Sequence, residues 1–242
     1  MLIPDNVIAN ADDLGYSSSV NKAILYCFEQ GYINSTSLMT NMGALDEAIL
    51  IIHQNKVLTN IGVHIDLAEG KPLTNIPVAF LGSDGNFDVA KTNRASGKLS
   101  WSDKAAFAKE INAQIGRAVA NKVAIRHLDS HLHIHTLPAF YKLFLVAAKQ
   151  YKLKIRLAQT YNEGNYLKFY YRKYINYLFR KSGYSYSDRF ETVDRFLTHK
   201  NQLNKTVNVE VMLHPWLDDA GQLVDHYEKD TMVKWINFLK NK

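Results

Sequence analysis

Short apolar runs alternate along this chain with longer stretches in which apolar residues recur every three or four positions. The first pattern predicts buried strands and the second amphipathic helices. Val7 to Ala11 reads as a strand, ended by Asp12, Asp13 and Gly15. Ser17 to Ser19 offer caps for a helix reaching about Gln30, and Gly31 stops it. Ser35 to Thr40 predicts a second strand, Leu45 to Gln54 a helix, and Asn60 to Leu67 a third strand. Ser102 and Asp103 then cap a helix running to about Asn121. Val123 to Asp129 predicts the fourth strand, and Pro138 sits near the start of a helix ending at Tyr151. Lys154 to Ala158 predicts a fifth strand, Asn165 to Lys181 a helix, Val207 to Leu213 a late strand and Glu228 to Leu239 a closing helix.

Strand and helix alternating in this way imply an α/β protein built on a mostly parallel sheet with crossover helices. Periodicity leaves open whether that sheet closes into a barrel or stays doubly wound. Either way, functional residues gather at the C-terminal ends of the strands. Ala68 to Ser100 is rich in Gly, Pro, Asn and Ser, and a segment of that length without clear periodicity suits a functional loop. No repeat or linker divides the chain, so residues 1–242 are expected to form one domain.

The polar residues at the strand ends carry the candidate chemistry. Asp12 and Asp13 close the first strand, and two adjacent carboxylates can divide between binding a cation and accepting a proton. As an isolated pair they would read as a helix cap and a solvated turn acid. The run from His127 to His135, HLDSHLHIH, is more specific. If extended, it puts Asp129, His131, His133 and His135 on one face, and packing explains three histidines on one face poorly. The rise of about 3.3 Å per residue makes one ion reached by every second residue awkward, so some would be neighbours or substrate contacts. His64 lies in a strand with Asp66 two residues on, a pattern that also fits a hydrogen-bonded core histidine. His214 precedes Pro215, which ends the late strand and leaves the imidazole at a loop mouth. Arg156, charged amid apolar neighbours, suits either ordering a carboxylate or touching substrate. The tyrosines from Tyr166 to Tyr177 fall at near-helical spacing, and core packing is the expectation over a sugar platform. His53, His199 and His226 read as surface residues.

Composition narrows the setting. Hydrophobic residues make up 47% and charged residues 21%, as in globular chains. The formal charge is +6, but the basic residues are scattered, with no RNA-binding signature and no zinc-finger spacing, so nucleic acid is not an expected partner. Cys27 is the single cysteine, which excludes an internal disulfide and a cysteine zinc site. Neither a signal peptide nor an apolar run long enough for a membrane span is apparent, and a cytoplasmic protein is expected. A homodimer is left open.

The segments VIANADDLGYSSSVNKAI, GYINSTSLMTNM, IGVHIDLAEGKPL, HLDSHLHIHTLP and EVMLHP, in this order from residue 7 to 215, together resemble the YdjC-like carbohydrate deacetylases. The resemblance implies a single-domain irregular (β/α) barrel, TIM-like, with a long loop inserted after the third strand. It implies a hydrolase that removes the N-acetyl group from an N-acetylated amino sugar with one divalent ion, Mg or Zn. Carried over by motif, Asp13, His64 and His131 hold the ion, Asp12 is the general base and His214 the general acid. Arg156, His133 and His135 are left as candidate substrate contacts. Leu14 stands where the family often has Phe, and Leu132 where His or Gln is common, differences that bear on the substrate. The rival classes are an amidohydrolase or PHP-type phosphoesterase and a non-catalytic sugar-binding relative. The first two usually carry HxH at the first strand, and Asp12 is present against the third.

Overall fold

The structure, a computed structural model, describes residues 2–162, 164–200 and 204–241. In chain order it runs β1 (Val7–Leu14), α1 (Ser18–Glu29), β2 (Ser35–Leu38), α2 (Leu45–Gln54) and β3 (Ile61–Ile65). The segment after β3 carries a single 3-10 turn (Val78–Phe80) and α3 (Val89–Arg94) before α4 (Trp101–Ala120). Then come β4 (Ile125–Ser130), a 3-10 segment (His131–Thr136), α5 (Tyr141–Tyr151), β5 (Lys154–Ile155) and α6 (Tyr166–Lys181). The chain continues through β6 (Arg189–Thr192), α7 (Val193–His199), β7 (Val209–Leu213), β8 (Pro215–Leu217), β9 (Leu223–Asp225) and α8 (Thr231–Lys240).

Seven strands pair in the order β5-β4-β3-β2-β1-β7-β6, every pair parallel. The edges β5 and β6 approach each other. Ile155 bridges Ser185 in parallel, the Tyr186 amide donates to the Ile155 carbonyl at 2.8 Å, and the Thr160 amide to the Phe190 carbonyl at 3.2 Å. The sheet thus curls round on itself as the irregular, TIM-like (β/α) barrel that was expected. The hairpin of β8 and β9 lies outside it.

Period-two alternation explains the interior. Ala9, Ala11, Val63, Ile65, Leu128, Val209, Val211 and Leu213 are buried apolar residues that take the helix-facing side. The alternate positions are polar. Asn10, Ser35, Ser37, His64, His127, Asp129, Arg156 and Glu210 are all essentially inaccessible. A barrel axis filled with polar groups is stable only if those groups bond one another, and most do.

Several local expectations give way to tertiary context. Ser100 caps α4, in a reciprocal capping box with Asp103, and Ser102 and Asp103 lie inside the first turn. Strand β5 stops at Ile155, after which Asn176 of α6 bonds both the amide and the carbonyl of Ala158. On α6 the buried residues are Ile175, Asn176 and Phe179, whereas Tyr166, Tyr170, Tyr174 and Tyr177 are all more than half exposed. The expected core role therefore fails for these four and holds for Tyr171, which packs against the core, because the core-facing stripe runs one position further round the helix. Strand β6, helix α7 and the β8–β9 hairpin were not anticipated. Among the described residues no helix is long and apolar enough to cross a membrane.

Candidate active site at the mouth of the barrel

Strand alternation alone would send Asp12 and Asp13 to opposite faces. The backbone prevents this by taking Asp13 into the left-handed region, at φ 71°. Gly15 follows at φ 96°, where a Cβ would lie 2.7 Å from the Met39 carbonyl oxygen. Both carboxylates therefore turn toward the barrel mouth, with different neighbours.

Asp13 Oδ1 lies 3.1 Å from His64 Nε2 and 3.2 Å from His131 Nδ1. All three residues are buried, and their ligand-type atoms can share one ion. Two ligand atoms about 2.1 Å from the same ion sit roughly 3.0–3.4 Å apart in octahedral or tetrahedral geometry, so these separations fit a common centre. The far nitrogen of His64, Nδ1, lies 2.9 Å from Asp129 Oδ1, and Ser37 Oγ donates to Asp129 Oδ2 at 2.9 Å. A carboxylate behind a histidine is the usual way to fix which nitrogen faces a metal. Burial works against a charged His64 ring, but Asp129 and Asp12 outweigh it and push its pKa well up. His131 likewise rises to about 9 against its burial, through Asp13 and Glu69. Burial would raise the Asp13 carboxyl, yet His131 and His64 hold it well below its usual range. Positive charge is thus gathered around one carboxylate oxygen, which is what a divalent ion would supply at that point. The donor set fits such an ion.

A second group, Asp12, His64 and Asp129, is equally close-packed. Its cation is already present. Arg156 reaches Asp12 with both terminal nitrogens at 2.6 Å, Asp129 Oδ2 at 2.8 Å and, through Nε, Glu210 Oε1 at 2.6 Å. Burial raises the Asp12 carboxyl, but the guanidinium more than offsets this and holds it below the ordinary range. Asp129 is lowered in the same way, while Glu210, where burial dominates, is pushed up to about 7. Asn10 also donates to Asp12 Oδ1 at 2.7 Å.

His214 leaves the barrel where β7 meets β8. Its amide donates to Asp225 Oδ2 at 2.8 Å, its Nδ1 lies 3.7 Å from the same oxygen, and its Nε2 lies 4.0 Å from Asp12 Oδ2. Its ring stands edge-on to Tyr227. Burial lowers its pKa, but Asp225 and Asp12 raise it further than burial lowers it. His214 belongs to neither ion-sized cluster. A cavity of about 310 Å³ joins these groups, lined by Asp12, His64, His131, His133, His214 and Asp225 among others.

The expected extended face from Asp129 to His135 does not form. The strand ends at Ser130, and the backbone turns through left-handed Leu132 and His133 in a 3-10 segment. His131 is thrown toward Asp13, and His133 faces the cavity with its pKa lowered to about 3 by burial and by Arg156. His135 turns inward. It is fully buried, bonds Ser130 Oγ through Nδ1 at 2.7 Å and stacks on Phe179. A substrate contact from His135 is therefore corrected to a packing role. Arg156 is also inaccessible and absent from the cavity lining, so of its two expected uses only the ordering of carboxylates has a geometry. Sequence reasoning missed Glu210, Asp225 and Glu69 as neighbours of the site. Asp225 sits in a segment with no motif, whereas Glu210 opens the EVMLHP segment and Glu69 lies within IGVHIDLAEGKPL, two residues beyond the predicted third strand.

A family model described as YdjC-like protein matches residues 6–235. A carbohydrate deacetylase of Brevibacillus brevis is 29% identical over 227 residues, covering 92% of this chain and 86% of its own. One from Geobacillus stearothermophilus is 30% identical over 213 residues, covering 88% and 80%. A solved structure from Enterococcus faecalis, described as a "putative cellobiose-phosphate cleavage protein", superposes with a TM-score of 0.76 at 20% identity, over 98% of this chain and 91% of that one.

Proposed function

The chain belongs to the YdjC-like family, and from that premise we propose that it is a carbohydrate deacetylase, a hydrolase that uses one divalent ion, Mg or Zn, to remove the N-acetyl group from an N-acetylated amino sugar. The observation that carries this reading is the convergence of Asp13, His64 and His131, of which both histidines line the cavity that Asp12 and His214 also line. The relatives named carbohydrate deacetylase supply the substrate class. We take residues 1–242 as one catalytic domain, since residues from Asp12 in β1 to Asp225 in β9 line the same cavity. Buried Cys27, a free thiol, is compatible with the cytoplasmic setting expected.

Asp13 Oδ1, His64 Nε2 and His131 Nδ1 would hold the ion, with Asp129 fixing the proton of His64 on Nδ1. Bound there, a divalent ion supplies Lewis-acid polarisation of the acetyl oxygen and acidifies water. Asp12 stays ionised at neutral pH because Arg156 grips it, and while Oδ1 accepts from both Arg156 and Asn10, Oδ2 keeps a lone pair beyond its bond to Arg156. It accepts the proton of the attacking water. His214, raised by Asp225, begins the cycle protonated on Nε2 and donates to the leaving nitrogen. Without that proton the tetrahedral species returns to amide. His133, neutral and facing the cavity, contacts the sugar.

The test is acetate release from N-acetylglucosamine oligomers by purified protein, before chelation, after chelation and after metal is restored. Release should vanish on chelation and return with the ion. Asp12→Asn should cost about 10²–10⁴-fold in rate while metal is retained. Release that survives complete chelation refutes the metal role, and no release from any acetylated sugar refutes the activity.

A further inference from the structure

His131 has a ring nitrogen without a use in the site described so far. Its Nδ1 faces Asp13, while its Nε2 is buried and has no hydrogen-bond partner. A neutral histidine that offers Nδ1 to an ion must carry its proton on Nε2. A buried N–H with no acceptor costs about 1–3 kcal/mol. Glu69 Oε1 stands 3.5 Å from that nitrogen, about half an ångström beyond hydrogen-bond length. Its other oxygen, Oε2, lies 3.4 Å from the Tyr16 hydroxyl, which donates to it.

The turn that presents Glu69 is built with unusual care. Asp66, fully buried, accepts through Oδ1 from the amides of Ala68 and Glu69 at 2.9 and 3.0 Å. Its Oδ2 accepts from Asn41 at 2.9 Å. Gln114 of α4 clamps the Asp66 backbone on both sides, accepting from its amide at 2.9 Å and donating to its carbonyl at 2.7 Å. Gly70 follows at φ 55°, where a Cβ would lie 2.5 Å from Met42 Sδ. These bonds satisfy the buried polar groups and fix where the turn presents its next side chain. The residue it presents is a carboxylate beside a candidate ligand.

We propose that Glu69 is a positioning residue for His131: its carboxylate accepts from Nε2–H and so fixes the tautomer that presents Nδ1 to the ion. This rests on the metal reading of Asp13, His64 and His131. Each histidine ligand then has its own carboxylate, Asp129 within the barrel for His64 and Glu69 at the rim for His131. The segment after β3 is thereby tied to the metal centre.

Chelator-stripped wild type, Glu69→Ala and Glu69→Gln are titrated with Zn²⁺ by calorimetry, and each is then assayed for kcat and KM. Glu69 is partly exposed, so both variants are expected to fold, which circular dichroism checks. Glu69→Ala should weaken Zn²⁺ binding 10–100-fold, with kcat falling and KM little changed. Glu69→Gln, whose amide oxygen still accepts a hydrogen bond, should recover most of that loss. Wild-type affinity in Glu69→Ala overturns the assignment, as does a rise in KM alone, which would make Glu69 a substrate contact. Loss beyond 1000-fold in both variants would make Glu69 itself a ligand and also overturns it. A wild type that binds no Zn²⁺ removes the metal centre and this assignment with it, an outcome distinct from all the others.

Discussion

Arg156→Met tests whether the barrel interior is held by one cation shared among three acids. Methionine fills much of the same volume but leaves Asp12, Asp129 and Glu210 facing one another without the guanidinium that now bonds all three. Removing one partner of a buried ion pair costs about 3–5 kcal/mol. For 242 residues, an unfolding entropy of about 2.1 cal/mol/K per residue gives roughly 0.5 kcal/mol/K. The melting temperature should then fall by about 6–10 °C near neutral pH.

The pH dependence carries a second check. Arg156 holds Asp12 and Asp129 below their ordinary values, so their stabilisation is present above about pH 4 and is lost as pH falls through the depressed folded values. In the variant, burial acts without that offset and the carboxyls must take up protons to stay folded. Its deficit should be largest near pH 7.5 and should shrink toward pH 5. Differential scanning fluorimetry of both proteins at several pH values reads this directly. A variant within 2 °C of wild type at pH 7.5, or a deficit that grows on acidification, would refute the shared-cation account.

Asp13→Asn should fold normally, because asparagine tolerates the left-handed backbone at that position, yet lose bound metal after stripping and reloading, as elemental analysis would show. His214→Ala should lower kcat with metal content unchanged, and loss of metal would make His214 a ligand. Asp225→Asn removes the group that raises His214, so the alkaline limb of kcat/KM should move to lower pH; an unmoved limb would assign the acid elsewhere. Gly62→Ala drives a methyl to within 2.3–2.6 Å of three His127 ring atoms and should cost about 1–3 kcal/mol in a thermal melt. Adding His127→Ala should relieve part of that cost, and strictly additive losses would show that the clash is not its source.

Much of this protein was legible along the chain because the relevant signals are local. Alternating strand and helix patterns marked the α/β class. Residues such as Asp13, His64 and His131 stood out because they lie in, end or follow apolar strands, and strand ends in such folds converge. The family motifs pointed to the barrel, and the structure shows one. What the chain did not reveal is which side chains meet across its axis. Arg156 and Asp12 are 144 residues apart, and nothing in either neighbourhood records that closure of the barrel brings both to Asp129 and Glu210. The run from His131 to His135 misled because strict alternation assumes an extended backbone, and left-handed Leu132 and His133 break it. The tyrosines of α6 misled because helical spacing states that a stripe exists, not which side of the helix meets the core. Periodicity is a property of neighbours in sequence. The pairing of His64 with Asp129 depends on strand register, and that of a buried cation with its three acids on contacts that exist only once the sheet has curled.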